Sequence, residues 1–261
     1  MKEIIRAKIC SNKKIGKEIF LLGVKTEKKL RLKPGEFFMI RAQDGNDPLL
    51  NRPLSWFRYF PQKGVLEFAY QVVGRGTRIL SARKVSEELI IIGPLGKGFE
   101  LEKLSGRIFL VAGGMGMAGL WSLAEKLSKN KKCEVHLVWG TKSKSGFFLL
   151  RELPEKMKIH LGTQDGSRGR KGMATELVNE LIREEGVPDK IFACGPKAML
   201  KELARIAEAG KIPGQVLYEE RMACGIGACL GCSAPAKGGG YLQSCLDGPA
   251  FRFEQIDWER V

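Results

Sequence analysis

The chain lacks the apolar run and small-residue cleavage site that would open a secreted precursor; its start, MKEIIRAKIC, is charged throughout. The expected compartment is therefore the cytoplasm, where thiols stay reduced, so the 7 cysteines in 261 residues do not read as a disulfide framework. A convincing membrane span is missing too. Ile108 to Ala124 is 17 residues long without a charge, the short end for a spanning helix. Four glycines interrupt it, and a strand, a glycine turn and a helix start explain it better. No zinc finger, helix-turn-helix or aromatic RNA-binding motif accompanies the net charge of +15. Its lysines are spread over SNKKIGKEIF and KTEKKLRLK, on and between short strands. They read as a solvated face that favours anionic partners, such as dinucleotide phosphates or an acidic protein surface. There are no internal repeats and no long disordered linker.

What is present falls into three parts. Residues 1–103 hold short segments rich in β-branched and aromatic residues: EIFLLGV, EFFMIRA, RPLSWFRYF, VLEFAYQVV and EELIIIG. Turn clusters such as LKPGE and QDGND separate them, and a short helix is expected near Thr77. This spacing predicts a small antiparallel β-barrel or sandwich. Over residues 104–215 strands alternate with helices. RIFLVAGG, CEVHLVWG, MKIHLGTQ and KIFACGP are the strands, and KAMLKELARIAEAG is a helix expected to end at a glycine cap. That alternation predicts a doubly wound parallel sheet. Residues 216–261 are mostly glycine, cysteine and turn. The fold class is thus mixed β and α/β.

Five motifs carry chemistry. In NRPLSW, Arg52 can meet a phosphate in bidentate fashion, and Ser55 can hydrogen-bond a ring nitrogen. In YQVVGRGT, Gly74 and Gly76 precede Thr77 at a helix start; this is a place for a pyrophosphate, or simply a strand-to-helix turn with a threonine N-cap. In VAGGMGMAGL, Gly113, Gly114 and Gly116 let backbone approach a phosphate. ACGP, with Cys194, Gly195 and Pro196, ends a later strand at the ligand-binding edge of such a sheet. Lys142 and Lys144, after CEVHLVWG, leave a 2′-phosphorylated dinucleotide open.

The fifth motif is RMACGIGACLGCSAPAKGGGYLQSC. Cys224, Cys229, Cys232 and Cys245 are spaced C-x4-C-x2-C-x12-C. The first three match the plant-type [2Fe–2S] run, with the fourth ligand later in the chain. A structural zinc site, more often built from two C-x2-C pairs, is the alternative. Cys10, Cys133 and Cys194 lie in strand patterns and are expected to be buried thiols. His136 and His160 also sit in strand patterns and read as structural.

Arg-Pro-x-Ser, an aromatic strand and Gly-x-Gly-Thr before a helix resemble the flavin domain of the ferredoxin–NADP reductase superfamily. That resemblance implies that Arg52, Pro53, Leu54, Ser55, Tyr70, Gln71, Val72, Gly76 and Thr77 hold FAD. It also implies that the Cys-Gly-Pro lies near a nicotinamide, with NAD(H) as co-substrate. TQDGSRGRKGMATEL is similar to a superfamily segment as well. Gly119 departs from it, standing where the family usually has proline.

RMACGIGACLGCSAP followed by CLDGPAF resembles the electron-transfer subunit of type B dihydroorotate dehydrogenase, over nearly the whole chain. This implies FAD over 1–103, NAD over 104–215 and a [2Fe–2S] cluster over 216–261. It further implies an FMN-containing catalytic partner that oxidises dihydroorotate in pyrimidine biosynthesis, in a heterotetramer of two of each, with no nucleic acid and no membrane. Small subunits of NADH-dependent ferredoxin–NADP oxidoreductase, sulfhydrogenase and anaerobic sulfite reductase share the same parts and stay open as alternatives. So does a non-enzymatic zinc-binding module. No catalytic base or nucleophile is singled out.

Overall fold

The computed structural model describes residues 3–261; Met1 and Lys2, which begin the N-terminal region and its charged start, lie outside the described residues. Two-residue alternation builds the first half. In β1 (Glu3–Gly16), Ile5, Ala7 and Ile9 face inward while Arg6, Lys8 and Cys10 face water. Cys10 is thus an exposed thiol, not the buried one expected, because its parity places it on the polar face. β2 (Ile19–Lys25), β3 (Phe37–Arg41), β4 (Arg52–Ser55), β5 (Arg58–Phe60), β6 (Val65–Gln71) and β7 (Glu88–Leu95) complete an antiparallel sheet of order β4-β3-β7-β1-β2-β6-β5. The sheet curls until β4 meets β6. Leu22, Phe38, Phe68 and Tyr70 fill its interior together with Leu80 of α1 (Arg75–Ala82).

RPLSWFRYF is two strands rather than one. Trp56 and Phe57 are consecutive and both buried, which a single pleated strand with one wet face does not allow. Trp56 belongs to the barrel interior and donates from Nε1 to the Lys33 carbonyl at 3.0 Å. Phe57 packs instead on Trp121, ring centroids 4.5 Å apart, in the core shared with the second half.

That second half runs β8 (Gly106–Gly113), α2 (Gly116–Ser128), β9 (Cys133–Thr141), β10 (Lys158–Thr163), β11 (Arg170–Lys171), α3 (Ala174–Glu185), β12 (Lys190–Cys194), α4 (Lys197–Gly210) and β13 (Gly214–Leu217). The strands are parallel, in the order β11-β10-β9-β8-β12-β13. α3 and α4 cover one face. α2 covers the other and is buried on nearly every side, because the barrel lies over it. Among the described residues no helix is long and apolar enough to cross a membrane. Cys133 is half-buried at the start of β9, again more open than expected, because it lies at the sheet's rim. α4 does not end on a glycine cap either. Gly210 is its last residue, and Lys211 takes the left-handed position, φ 52° and ψ 37°. A side chain at Gly210 would press on Ile212, whose amide closes the helix on the Ala207 carbonyl at 2.8 Å.

After β13 the chain leaves the sheet, forms a small hairpin of β14 (Ser233–Pro235) and β15 (Tyr241–Gln243), and returns as β16 (Ala250–Arg252) antiparallel to β13. The cysteine segment therefore starts and finishes on the α/β sheet while reaching across to the barrel.

Candidate functional site

β4 lays Arg52–Ser55 along one edge of the barrel sheet, and β6 leads into α1 opposite it. Gly74 precedes α1 in extended conformation, and it is Gly74, not Thr77, that occupies the N-cap. Thr77 sits one turn in, where its hydroxyl accepts from the amides of Val73 at 3.0 Å and Gly74 at 3.2 Å. The remaining first-turn amides have no partner within the helix. Arg52 lies directly over them: a Cβ on Gly76 would collide with its guanidinium. A guanidinium facing the positive end of a helix is a donor set for an anion, and a pyrophosphate suits it. Along β6, Gln71 is exposed and Val72 half-buried. Tyr70 points into the barrel, hydrogen-bonded to Asn12 Oδ1 at 3.2 Å, and burial pushes its hydroxyl pKa up.

The carboxyl ends of β8, β9, β10 and β12 open on a cavity of about 970 Å3. Gly113, Gly114, Thr141, Lys142, Gln164 and Pro196 line it from the α/β side, while Lys17, Glu18 and Gln71 close it from the barrel. The amino end of α3, Met173 to Thr175, forms part of the wall. A dinucleotide fits such a cleft at the strand ends. Gly114 has φ +53° and open space beside it, whereas Gly116 is pressed against the Cys194 carbonyl, so the two glycines have different tasks. Lys142 borders the cavity; Lys144 is exposed and not part of its lining.

Between the two regions, Ser55, Cys194 and Gly119 converge. A Cβ on Gly119 would stand 2.8 Å from Leu217 Cδ1, 3.3 Å from Cys194 Sγ and 3.4 Å from Ser55 Oγ. The Cys194 thiol is pushed well up in pKa by burial and by the charge of Glu219. The Glu219 carboxyl is itself raised by the protein packed around it, although the residue opens to solvent on one side. Glu219 is a group that motif reading missed. It has no signature of its own, and only the end of β13 brings it there.

The four cysteines come together as free thiols in two neighbouring pairs, Cys224 with Cys229 and Cys232 with Cys245. Cys232 and Cys245 are buried, Cys224 is half-buried and Cys229 is exposed. Burial pushes the Cys224 thiol up, but amides of Ile226, Cys229 and Ala228 outweigh it and bring it to about 6. The Cys245 thiol is pushed up to about 12 by burial and by Cys232 beside it. The bend that points those amides at sulfur needs positive φ at Gly225 and Gly227, +70° and +91°. Two thiol pairs with inward amides suit two irons with two thiolates each. Met222, Cys232 and Cys245 pack on Phe37, Met39 and Leu95 of the barrel. Since Met39 is paired with Pro53 across β3 and β4, the cysteine segment lies one strand from Arg52–Ser55.

A family model described as the iron–sulfur cluster binding domain of dihydroorotate dehydrogenase B matches residues 219–257. Another, described as the oxidoreductase NAD-binding domain, matches residues 110–205. The dihydroorotate dehydrogenase B (NAD(+)) electron transfer subunit of Clostridium acetobutylicum is 38% identical over 244 residues, covering 94% of this chain and 93% of its own. The protein of the same name from Caldanaerobacter subterraneus subsp. tengcongensis is 38% identical over 256 residues, covering 97% and 98%. Among solved structures, that of the NADH-dependent reduced ferredoxin–NADP oxidoreductase, reported for flavin-based electron bifurcation, superposes with a TM-score of 0.86 at 29% identity, covering 97% of this chain and 90% of that one. The ferredoxin reductase of carbazole 1,9a-dioxygenase, at 19% identity and a TM-score of 0.71, covers 81% and 67% and shares the fold.

Proposed function

Because the chain belongs to the family of dihydroorotate dehydrogenase B electron-transfer subunits, we propose that it relays electrons between a dihydroorotate-oxidising catalytic subunit and NAD. The observation that carries this reading is the order of the three sites. The cysteine segment lies against β3, the Arg52–Ser55 strand pairs with β3, and the dinucleotide cavity opens beyond Gln71. When bound, nicotinamide exchanges a hydride, a [2Fe–2S] cluster passes single electrons, and FAD between them does both.

The residues divide the work accordingly. Arg52 and the first turn of α1 would hold the flavin pyrophosphate; Pro53, Leu54 and Ser55 would hold the rest of the flavin. Tyr70 stiffens the barrel behind this site, and Gln71, Val72 and Thr77 bound its rim. Gly113 and Gly114 admit the dinucleotide phosphates, while Gly116, Gly195 and Pro196 fix the helix–strand crossing beside the nicotinamide. Cys194 and Ser55, with Gly119 leaving room between them, would border the bound nicotinamide and flavin. Cys224, Cys229, Cys232 and Cys245 hold the irons. The partner carries FMN and performs the dihydroorotate oxidation, two copies of each chain assemble, and the complex works in the cytoplasm. Residues 1–103, 104–215 and 216–261 act as the flavin, nucleotide and cluster regions. The 38% identity to the dihydroorotate-linked relatives, against 29% for the ferredoxin–NADP-linked structure, favours this partner over the alternatives.

The test is anaerobic co-expression with a candidate FMN-containing dihydroorotate oxidase. The expected result is a complex that reduces NAD with dihydroorotate, while this chain alone oxidises NADH only with an artificial acceptor. A chain that ignores that oxidase and co-purifies with a ferredoxin-linked flavoprotein would overturn the partner. Colourless protein containing one zinc at the four cysteines would overturn the redox reading.

A further inference from the structure

We propose that His136, His160 and Glu185 form a binding site for a divalent transition cation of the zinc class, at the end of the α/β sheet opposite the dinucleotide cavity. The three residues each offer a ligand atom, and these atoms all lie within 4.8 Å of one another. His136 is on β9, His160 faces it from β10, and Glu185 is the last residue of α3. His136 Nδ1 and His160 Nε2 are 3.3 Å apart. With zinc–nitrogen bonds of about 2.0–2.1 Å, that separation subtends about 107° at the metal, a tetrahedral angle.

A second observation is independent of this spacing. The His136 side chain is completely buried, and its Nε2 has only long, poorly aligned carboxylate neighbours. That nitrogen faces Glu134 Oε1 at 3.4 Å and Glu185 Oε2 at 3.5 Å. An enclosed imidazole with so poorly satisfied a nitrogen costs free energy, and ligation at Nδ1 recovers part of it by fixing the Nε2 proton toward Glu134. With its proton on Nε2, directed at Glu134, His136 presents a free Nδ1 to the cation, and Glu185 turns from Nε2 to the cation. His160, protonated on Nδ1, presents a free Nε2. In the metal-free pair one of the facing nitrogens holds the proton between them, so binding shifts that ring to its other tautomer and releases no proton. Water completes the coordination.

Lys158 is the competing cation. Its ammonium lies 2.7 Å from Glu134 Oε1 and 3.1 Å from Glu185 Oε2, and its side chain is half exposed. Binding moves it off Glu185 toward solvent, where Glu134 still holds it. Arg107, 3.4 Å from Glu134, adds positive charge beside that carboxylate and donates to the Glu185 backbone carbonyl, holding the end of α3 in place. The ligands come from three elements distant in sequence, so a bound cation ties β9, β10 and α3 together and stabilises this domain by mass action.

The experiment uses anaerobically purified protein with its iron and flavin in place, so that the four cysteines are occupied, and Zn2+ alone as the probe. Equilibrium dialysis with metal analysis is expected to find one zinc per chain beyond the iron, with a raised melting temperature. His160→Ala and Glu185→Gln are expected to weaken binding by roughly tenfold or more. Lys158→Met is expected to tighten it, which a merely structural ion pair would not predict. Flavin absorbance and NADH oxidation with an artificial acceptor should stay unchanged in Glu185→Gln and Lys158→Met, which do not border the cavity and serve if His160→Ala fails to fold. Absence of zinc beyond the iron's companions, or equal binding in wild type, Glu185→Gln and Lys158→Met, overturns the proposal.

Discussion

At position 76 a side chain is excluded by what lies above it. The Arg52 guanidinium occupies the space where a Cβ would stand, so Gly76→Ala must displace Arg52 from the first turn of α1. Arg52→Ala removes the same cation outright. Both variants are therefore expected to weaken FAD binding by at least about tenfold, equivalent to about 1.4 kcal/mol. Since both act through one guanidinium, the double variant should be little worse than either alone. Flavin titration of the apoprotein measures this, and an additive double variant would refute the shared cradle. The cysteines give a complementary case. Cys229 is the exposed member of its pair. Cys229→Ser is expected to lose the iron while keeping FAD and NADH oxidation with an artificial acceptor, read by iron analysis and the visible spectrum. Cysteine spacing made this group legible because an iron–sulfur loop is local: three ligands fall within nine residues, Cys224 to Cys232. Glu219 and the lining residues Lys17 and Glu18 were not legible, because only tertiary contact brings them to their sites. Local pattern also misjudged Cys10, whose parity along β1 decides its exposure.

Elements with two buried faces behave differently from those with one. β3 is buried from Phe37 to Ile40, but its two faces belong to different cores: Phe38 and Ile40 fill the barrel, while Phe37 and Met39 support the cysteine segment. From sequence, EFFMIRA reads as a strand, yet an unbroken apolar run does not say which residue faces which core. Met39→Ala is expected to cost about 2–4 kcal/mol. The loss should fall on the cluster region: faster iron release, with FAD retained. Phe38→Ala should cost a similar amount and release FAD instead, and parallel iron and flavin release assays separate the two. Helix ends were less legible than helix bodies. The α4 periodicity is clear, but the glycine stands one position before the left-handed residue, because Ile212 needs the room beside Gly210. Lys211→Gly relieves the left-handed strain and should stabilise the protein by about 1 kcal/mol, a rise of about 2–4 °C in melting temperature for a domain of this size.

For the molecule as a whole, one question is where electrons leave. The cysteine segment lies against β3, which pairs with β4, so on the proposed flavin assignment the path to a partner runs through that segment. Around Cys229 its surface is open and apolar: Ile226 and Leu230 are 46% and 59% exposed, with Leu246 beside them. The net charge of +15 would favour an acidic partner surface, but charge is spread over the lysine-rich strands and does not define the contact. Contact specificity then rests on the apolar rim, where a buried charge would be unpaired. Leu230→Glu is expected to abolish dihydroorotate-dependent NAD reduction in the reconstituted complex. The same variant should keep its iron, its FAD and its NADH oxidation with a small acceptor, because Leu230 is exposed, supplies no sulfur and is not part of the cavity lining. Raising the salt concentration should slow assembly of the wild-type complex without reproducing the variant's loss. If Leu230→Glu and Ile226→Glu both sustain full dihydroorotate-dependent turnover, the exit does not lie at Cys229, and the partner must meet the chain on another face.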